Sequence, residues 1–371
     1  MVPNLRFSSF ADPFRIYTLK EVLQRISFPV TVDENKLYYQ IGIRSHSKGI
    51  FYKEAEIGRQ IGNKRIFWIE PNCLILNIVF AWEQAVAKTS EKEVGMVASH
   101  RFPMYKVLNN SLDYIVDFFK TEKGKQLLQI ASPGGAGRNK TLNQDFFLNS
   151  KIYLPSLNEQ LKTSELIELI EDRIETQIKI INDYKLLKKY ITKSFIKQKG
   201  TSYLLSEIAE LGRGRVISSA EISKQKNPIY PVYSSQTSNN GVMGYLDNYD
   251  YEGEYITWTT DGANAGTVYY RNGKFNCTNV CGILKIKNGY DAYYISNILN
   301  CYTKKYVSTN LANPKLMNNV MANIKINLPS IERQKYFSNI LKAIEYRVKI
   351  EQDIKLNLVK QKVFLLKNMF L

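Results

Sequence analysis

Leu154-Pro155-Ser156-Leu157-Asn158-Glu159-Gln160 and Leu328-Pro329-Ser330-Ile331-Glu332-Arg333-Gln334 open two runs that repeat each other 174 positions apart. The same offset pairs Ile170 with Ile344, Glu171 with Glu345, Arg173 with Arg347, Ile180 with Ile354, Lys188 with Lys362 and Lys193 with Lys367. Upstream it holds for Asn139/Asn313, Leu142/Leu316, Lys151/Lys325 and Ile152/Ile326. Identity of roughly a quarter over about 60 ungapped positions is a duplication, with a period far longer than a solenoid repeat. A fainter echo starts each half, where Tyr17, Leu19 and Glu21 return as Tyr203, Leu205 and Glu207. The chain therefore reads as variable domain, helix, variable domain, helix.

The helices follow from periodicity. Leu166, Ile167, Ile170, Ile174, Ile178, Ile181, Tyr184, Leu187, Ile191 and Phe195 recur at three- and four-residue steps, with no glycine or proline before Gly200. That predicts one helix of ~40 residues, about 60 Å long. Pro155 marks its boundary and Ser156 with Glu159 spells a capping box. The second helix carries Phe337, Ile340, Leu341, Ile344, Val348, Ile354, Leu358 and Leu365. Arg333 stands where its capping-box glutamate would be, so that cap is expected to be weaker. Helices of ~60 Å overrun any ~120-residue globule, so their seams should pack on each other as an antiparallel coiled coil. Leu161, Phe337 and Phe364 are candidates for seating partner helices. The expected class is α+β: two α/β domains related by a pseudo-twofold and separated by the helices. Expected boundaries are 1–150, 151–200 (first helix), 201–326 and 327–371 (second helix).

Within the domains, Tyr38–Ile43, Leu74–Phe80, Gly266–Tyr270 and Ile283–Ile286 read as strands and Tyr114–Leu128 as a helix. Ser132–Gly137 reads as a flexible loop.

Composition bounds the function. A chain of 371 residues, 44% hydrophobic and 23% charged, suits a folded protein of two domains plus connectors. No apolar run approaches the ~18 residues of a membrane span. The first ten residues lack a signal pattern, so the expected location is the cytoplasm. Net charge of +17 with pI near 9.4 points to a polyanionic partner, nucleic acid first. Four cysteines without export signals argue against disulfides. Cys277 and Cys281 find no second cysteine pair, and His46 and His100 are remote, so buried thiols are expected rather than a metal site.

Catalytic strings are missing. There is neither HExxH nor GxSxG. Gly134–Thr141 approaches a phosphate loop, but Asn139 replaces its second glycine, so a phosphate nest is not expected. Asn227-Pro228-Ile229-Tyr230 imitates the Asn-Pro-Pro-Tyr string of amino-methyltransferases; Ile229 breaks it. What remains is a binding surface. Ser235, Gln236, Thr237, Asn239 and Asn240 are short donors and acceptors suited to base edges. Arg271 and Lys274 are candidates to neutralise phosphates nearby. In the first domain Arg44, Ser45, His46 and Lys48, and Arg138, Asn139, Lys140 and Thr141, join cations to amides and hydroxyls on turns.

These residues resemble the specificity subunit of type I restriction-modification systems, and the resemblance spans essentially the whole chain. It is carried by Val2–Phe7, Tyr39–Arg44, Ser99–Pro103, both Leu-Pro-Ser connectors, Tyr230–Thr237, Asn239–Tyr245 and Thr257–Gly262. The last string adds Asp261 to the DNA-facing candidates. The resemblance implies two target-recognition domains, each reading half of a split DNA sequence. The paired helices would set the gap and dock two methyltransferase subunits, with restriction and translocase subunits joining them. On the helices, the apolar stripes make Leu161, Ile167, Ile170, Ile174, Ile181, Ile191, Phe337, Leu341, Ile344, Val348, Ile354, Leu358 and Leu365 the candidates for partner or coiled-coil contacts. S-adenosylmethionine, ATP and Mg are expected on the partner subunits, none on this chain, which would be non-catalytic. Arg333 and a chain ending soon after the second helix are its departures. A stand-alone DNA-binding regulator or architectural protein is the competing reading; an enzyme in its own right would require methyl transfer by the isolated chain.

Overall fold

The recurring residues make the same contacts in both halves of the chain. In the computed structural model, which describes residues 2–134, 140–308 and 313–371, the chain divides into two compact units. One comprises Met1–Ile178 with Ile354–Leu371, the other Lys179–Asp353. In the first, strand Arg15–Thr18 pairs antiparallel with Lys151–Leu154, setting Tyr17 opposite Ile152. In the second, Thr201–Leu204 pairs with Lys325–Leu328 in the same register, Tyr203 opposite Ile326. Each leading strand runs into a single helical turn whose glutamate accepts the N–H three residues back: Glu21 from Thr18 and Glu207 from Leu204, both at 2.6 Å. Leu19 and Leu205, beside them, are fully buried.

The repeated glutamine explains the Leu-Pro-Ser motif. Gln160 Oε1 accepts the buried N–H of Ser111 at 3.0 Å while its Nε2 donates to the Pro155 carbonyl at 3.0 Å. Gln334 repeats this with the Asp291 N–H and the Pro329 carbonyl, at 3.0 and 2.8 Å. Ser111 and Asp291 cap the domain helices Leu112–Lys120 and Ala292–Tyr302. One side chain thus ties the start of each long helix to the start of the helix it abuts, satisfying backbone groups that burial would otherwise orphan. The capping box expected at Ser156 gives way to another partner. Glu159 is buried and takes two hydrogen bonds from Arg6, both 2.7 Å. A bidentate charged pair outweighs a local cap.

The long helices run Leu157–Ile196 and Ile331–Met369. The strand Lys151–Leu154 precedes the first, so the segment expected to be all helix from 151 begins in sheet. In the first unit Ile167 shares a core with Leu366, Met369 and Phe370. In the second, Phe195 stacks on Phe337 at 3.8 Å between ring centres, with Ile191 and Leu341 beside them. Early residues of one helix meet late residues of the other in each unit, which is antiparallel pairing. The recurring Glu and Lys repeat it crosswise: Glu171 pairs with Lys362 in the first unit, at 2.5 Å, and Glu345 with Lys188 in the second.

The seam differs from the apolar stripe in composition. Ile167, Ile181, Phe337, Leu341 and Leu358 are buried, and Ile170, Ile174, Ile191, Ile344, Val348 and Leu365 half-buried. Ile354, Ile178, Leu187 and Leu161 are exposed instead. Thr163, Ser164, Gln177, Thr192, Ser338 and Glu351 are buried among the apolar side chains. Ser164 and Thr192 donate to the carbonyls four residues back on their own helix and Ser338 to Asp291, so polar side chains are buried there with partners that a reading of hydropathy period overlooks.

On this common frame sit different sheets. The first unit holds a four-stranded sheet in the order Leu23–Ile26, Met104–Val107, Leu74–Leu76, Val86–Lys88, with small two-stranded pairs. The second holds six strands in the order Ala209–Arg213, Cys281–Ile286, Tyr251–Thr259, Val268–Cys277, Tyr230–Tyr233, Val242–Leu246. The strand expected over Tyr38–Ile43 is two short ones, and that over Leu74–Phe80 stops at Leu76, where Asn77 turns the chain by accepting the Val79 N–H. The helix expected from Tyr114 to Leu128 breaks at Thr121, whose hydroxyl caps a second helix, Glu122–Ile130. Cys73, Cys277 and Cys281 are buried and Cys301 is exposed.

Candidate nucleic-acid interface

In the second unit the candidates gather on the turn between strands Tyr230–Tyr233 and Val242–Leu246. The Ser234 N–H donates to the Gly241 carbonyl at 2.9 Å, closing the turn. Asn239, Asn240 and Gly241 all take left-handed backbone, with φ of 48°, 52° and 84°. Asn tolerates that region better than other side chains, which accounts for the Asn-Asn-Gly string. The Asn239 and Asn240 amides are exposed, while Ser235, Gln236 and Thr237 are half-buried. Gln236 Nε2 donates to the Val242 carbonyl, and Thr237 Oγ1 accepts from Asn264 Nδ2 at 3.1 Å. Part of Gln236 and Thr237 is therefore committed to the loop itself.

Arg271 does not face solvent. It is 3% exposed, and its guanidinium lies 3.5 Å from the ring centre of Tyr233 and 4.4 Å from that of Tyr269. Nε donates to Thr257 Oγ1 at 3.1 Å and Nη2 to the Asn240 carbonyl at 3.0 Å. Burial pushes its pKa down from the usual arginine value. Arg271, expected as a phosphate contact, is instead enclosed by two tyrosine rings and bonded to the sheet and to the loop carbonyl. Lys274 is exposed, with its ammonium 4.5 Å from the Tyr249 ring and 3.8 Å from Glu252. Asp261 is half-buried, accepts from Thr260 Oγ1 at 2.7 Å and lies 3.7 Å from Lys315 Nζ.

In the first unit two strings distant in sequence meet one turn, Ala81–Glu83. Ser45 Oγ donates to Glu83 Oε2 at 2.8 Å, and the His46 and Ser47 N–H groups donate to the carbonyls of Glu83 and Gln84. From the other side the Lys140 ammonium lies 5.2 Å from the Trp82 ring centre. His46 and Ser47 are left-handed, with φ of 60° and 54°. Arg44, His46, Lys48 and Thr141 are exposed, and Arg44 lies over Phe51 at 5.1 Å. Arg138 and Asn139 lie outside the described residues. Trp82, Glu83 and Gln84 organise this surface and carry no motif that would have singled them out. Among the described residues no group of three His, Cys, Asp or Glu could hold a metal ion, and no helix is long and apolar enough to cross a membrane.

This architecture is that of solved specificity subunits. A Mycoplasma genitalium type I restriction-modification S subunit superposes with a TM-score of 0.63 at 13% identity, covering 100% of this chain and 99% of that one. The HsdS subunit from Thermoanaerobacter tengcongensis gives 0.50 at 15% identity, covering 97% of each chain. At such identities the likeness is one of fold. Sequence supplies the rest. The family model for the type I restriction modification DNA specificity domain matches residues 199–361. A Mycoplasma pneumoniae protein named as a type I specificity subunit is 37% identical over 199 residues, 52% of this chain and 82% of the relative. Another from that organism, named as the N-terminus of such a subunit, is 44% identical over 142 residues, 38% of this chain and 75% of the relative. The chain belongs to the family of type I restriction-modification specificity subunits, which sets aside the reading as a free-standing regulator.

Proposed function

We propose that each unit reads one half of a bipartite DNA target, and that the paired helices set the unread gap and dock methyltransferase subunits. The observation that carries this reading is the doubled frame. The strand pairs, glutamine ties and Glu–Lys bridges are repeated almost residue for residue, while the sheets and exposed loops they support differ. A frame repeated in both halves with differing loops suits two readers of different half-sites. Lys48, Lys140, Lys274 and the surplus of +17 would neutralise phosphate, and Asn239 and Asn240 would reach base edges. Methylation and ATP-dependent cleavage would belong to partner subunits carrying S-adenosylmethionine, ATP and Mg, in the cytoplasm, with this chain non-catalytic.

The test is methylome sequencing of cells expressing the assembled complex with wild-type chain or Asn240→Ala. The expected wild-type pattern is a split motif, and the variant should relax one block only, by about 1–3 kcal/mol at the affected position. One continuous motif, or equal weakening of both blocks, would refute the reading.

A further inference from the structure

Arg271 is a buried guanidinium whose hydrogen bonds go to neutral oxygens, a hydroxyl and a carbonyl. Such a group is costly unless its donors are met and its charge is otherwise stabilised. Here two tyrosine faces enclose it, at 3.5 and 4.4 Å, and supply the stabilisation. Its donors go to Thr257 Oγ1, on the neighbouring strand of the sheet, and to the Asn240 carbonyl, at the apex of the loop. The apex needs such an anchor, because Asn239 and Asn240 both hold backbone that L residues avoid. Gly241 completes the fit: a Cβ there would sit 3.0 Å from Arg271 Nη2, and its φ is +84°. The guanidinium therefore occupies the space beneath the loop and pins its carbonyl from the sheet side.

We propose that Arg271 is the positioning residue of the second unit's DNA-reading loop. Held between Tyr233 and Tyr269, it fixes the left-handed Asn239–Asn240 turn so that both amides face outward, and it touches no phosphate. This inference rests on the proposed DNA-reading function. It separates shape from charge: Arg271 governs which bases are preferred, and the exposed lysines govern how tightly any DNA is held. Lysine cannot replace it, because an ammonium lacks the planar fork that stacks on one face while bonding two directions.

The experiment uses the full chain, a library of randomised DNA duplexes and a fixed duplex of unrelated sequence. Wild type, Arg271→Lys, Arg271→Met and Thr257→Val are compared for selected sequences, for melting temperature and for the dependence of log affinity on log salt. The wild-type chain should select two separated blocks. Arg271→Lys should lower the preference at one block by about tenfold or more and leave the other block intact, and Thr257→Val should do the same more weakly. Their salt slopes on the unrelated duplex should match the wild type. Arg271→Met should behave like Arg271→Lys and keep the slope, whereas loss of a phosphate contact would lower it by about 0.9. A slope lowered by that amount, unchanged blocks, or equal weakening of both blocks would overturn the positioning role. Should the Arg271 variants fail to fold, Thr257→Val decides alone by the same criteria. A wild-type chain that selects no block would instead sink the DNA-reading function itself.

Discussion

Gln160→Ala isolates the tie between helix and domain. Gln160 is 1% exposed, and its amide satisfies the buried Ser111 N–H and the Pro155 carbonyl, with a further bond to Asn110 Oδ1 at 2.8 Å. Truncation leaves two backbone groups without partners, each worth about 1–3 kcal/mol when buried. A water entering the vacated space offsets part of this, so the expected loss is about 2–4 kcal/mol. With an m-value of about 2 kcal/mol per molar urea, the midpoint of the first unit should fall by about 1–2 M. Peptide-resolved hydrogen exchange during the titration localises the effect: protection of Leu112–Lys120 should drop, and that of Ala292–Tyr302 should hold. A midpoint shift under about 0.3 M, or equal loss from both helices, would refute the view that this side chain is the fastening of its own unit.

Two further outcomes are expected. Asp117 is 5% exposed, and burial raises its carboxyl from 3.8 to about 6 despite the neighbouring Lys120 ammonium at 2.8 Å. The folded state thus holds this proton more tightly than the unfolded chain. The resulting stabilisation is complete below pH ~4 and is lost as pH rises through ~6, about 3 kcal/mol in all. Subtracting an Asp117→Asn urea series from the wild type should reveal that decline, and a difference flat or rising over the window would contradict it. If the helices set the gap, removing seven residues from the middle of each shortens them by about 10 Å. The methylated motif should then lose roughly three base pairs of spacing at ~3.4 Å each, and an unchanged gap would tell against the spacer role.

Much of the frame is legible in the sequence. The 174-residue offset identifies two halves, and the three- and four-residue steps identify two long helices, expected over 151–200 and 327–371 and found at Leu157–Ile196 and Ile331–Met369, the first preceded by a strand. The recurrence of Glu171, Lys188, Glu345 and Lys362 was visible as letters, but its meaning as two crosswise ion pairs was not. Within the candidate interface, Asn239 and Asn240 occupy an exposed turn, whereas Arg271, expected as a neighbouring phosphate contact, is buried beneath it. An arginine near amides on a basic chain reads the same whether it points to phosphate or into a sheet.

By itself the sequence determined the duplication, the helical lengths, the basic character and the family, because these depend on residue identity and spacing along the chain. Tertiary structure decided which groups are buried and what they hold. Gln160 reaches Ser111 across 49 residues, Arg271 reaches Asn240 across 31, and Arg6 draws Glu159 from its cap across 153. Burial and hydrogen-bond pairing are set by such distant partners, and local periodicity carries no information about them.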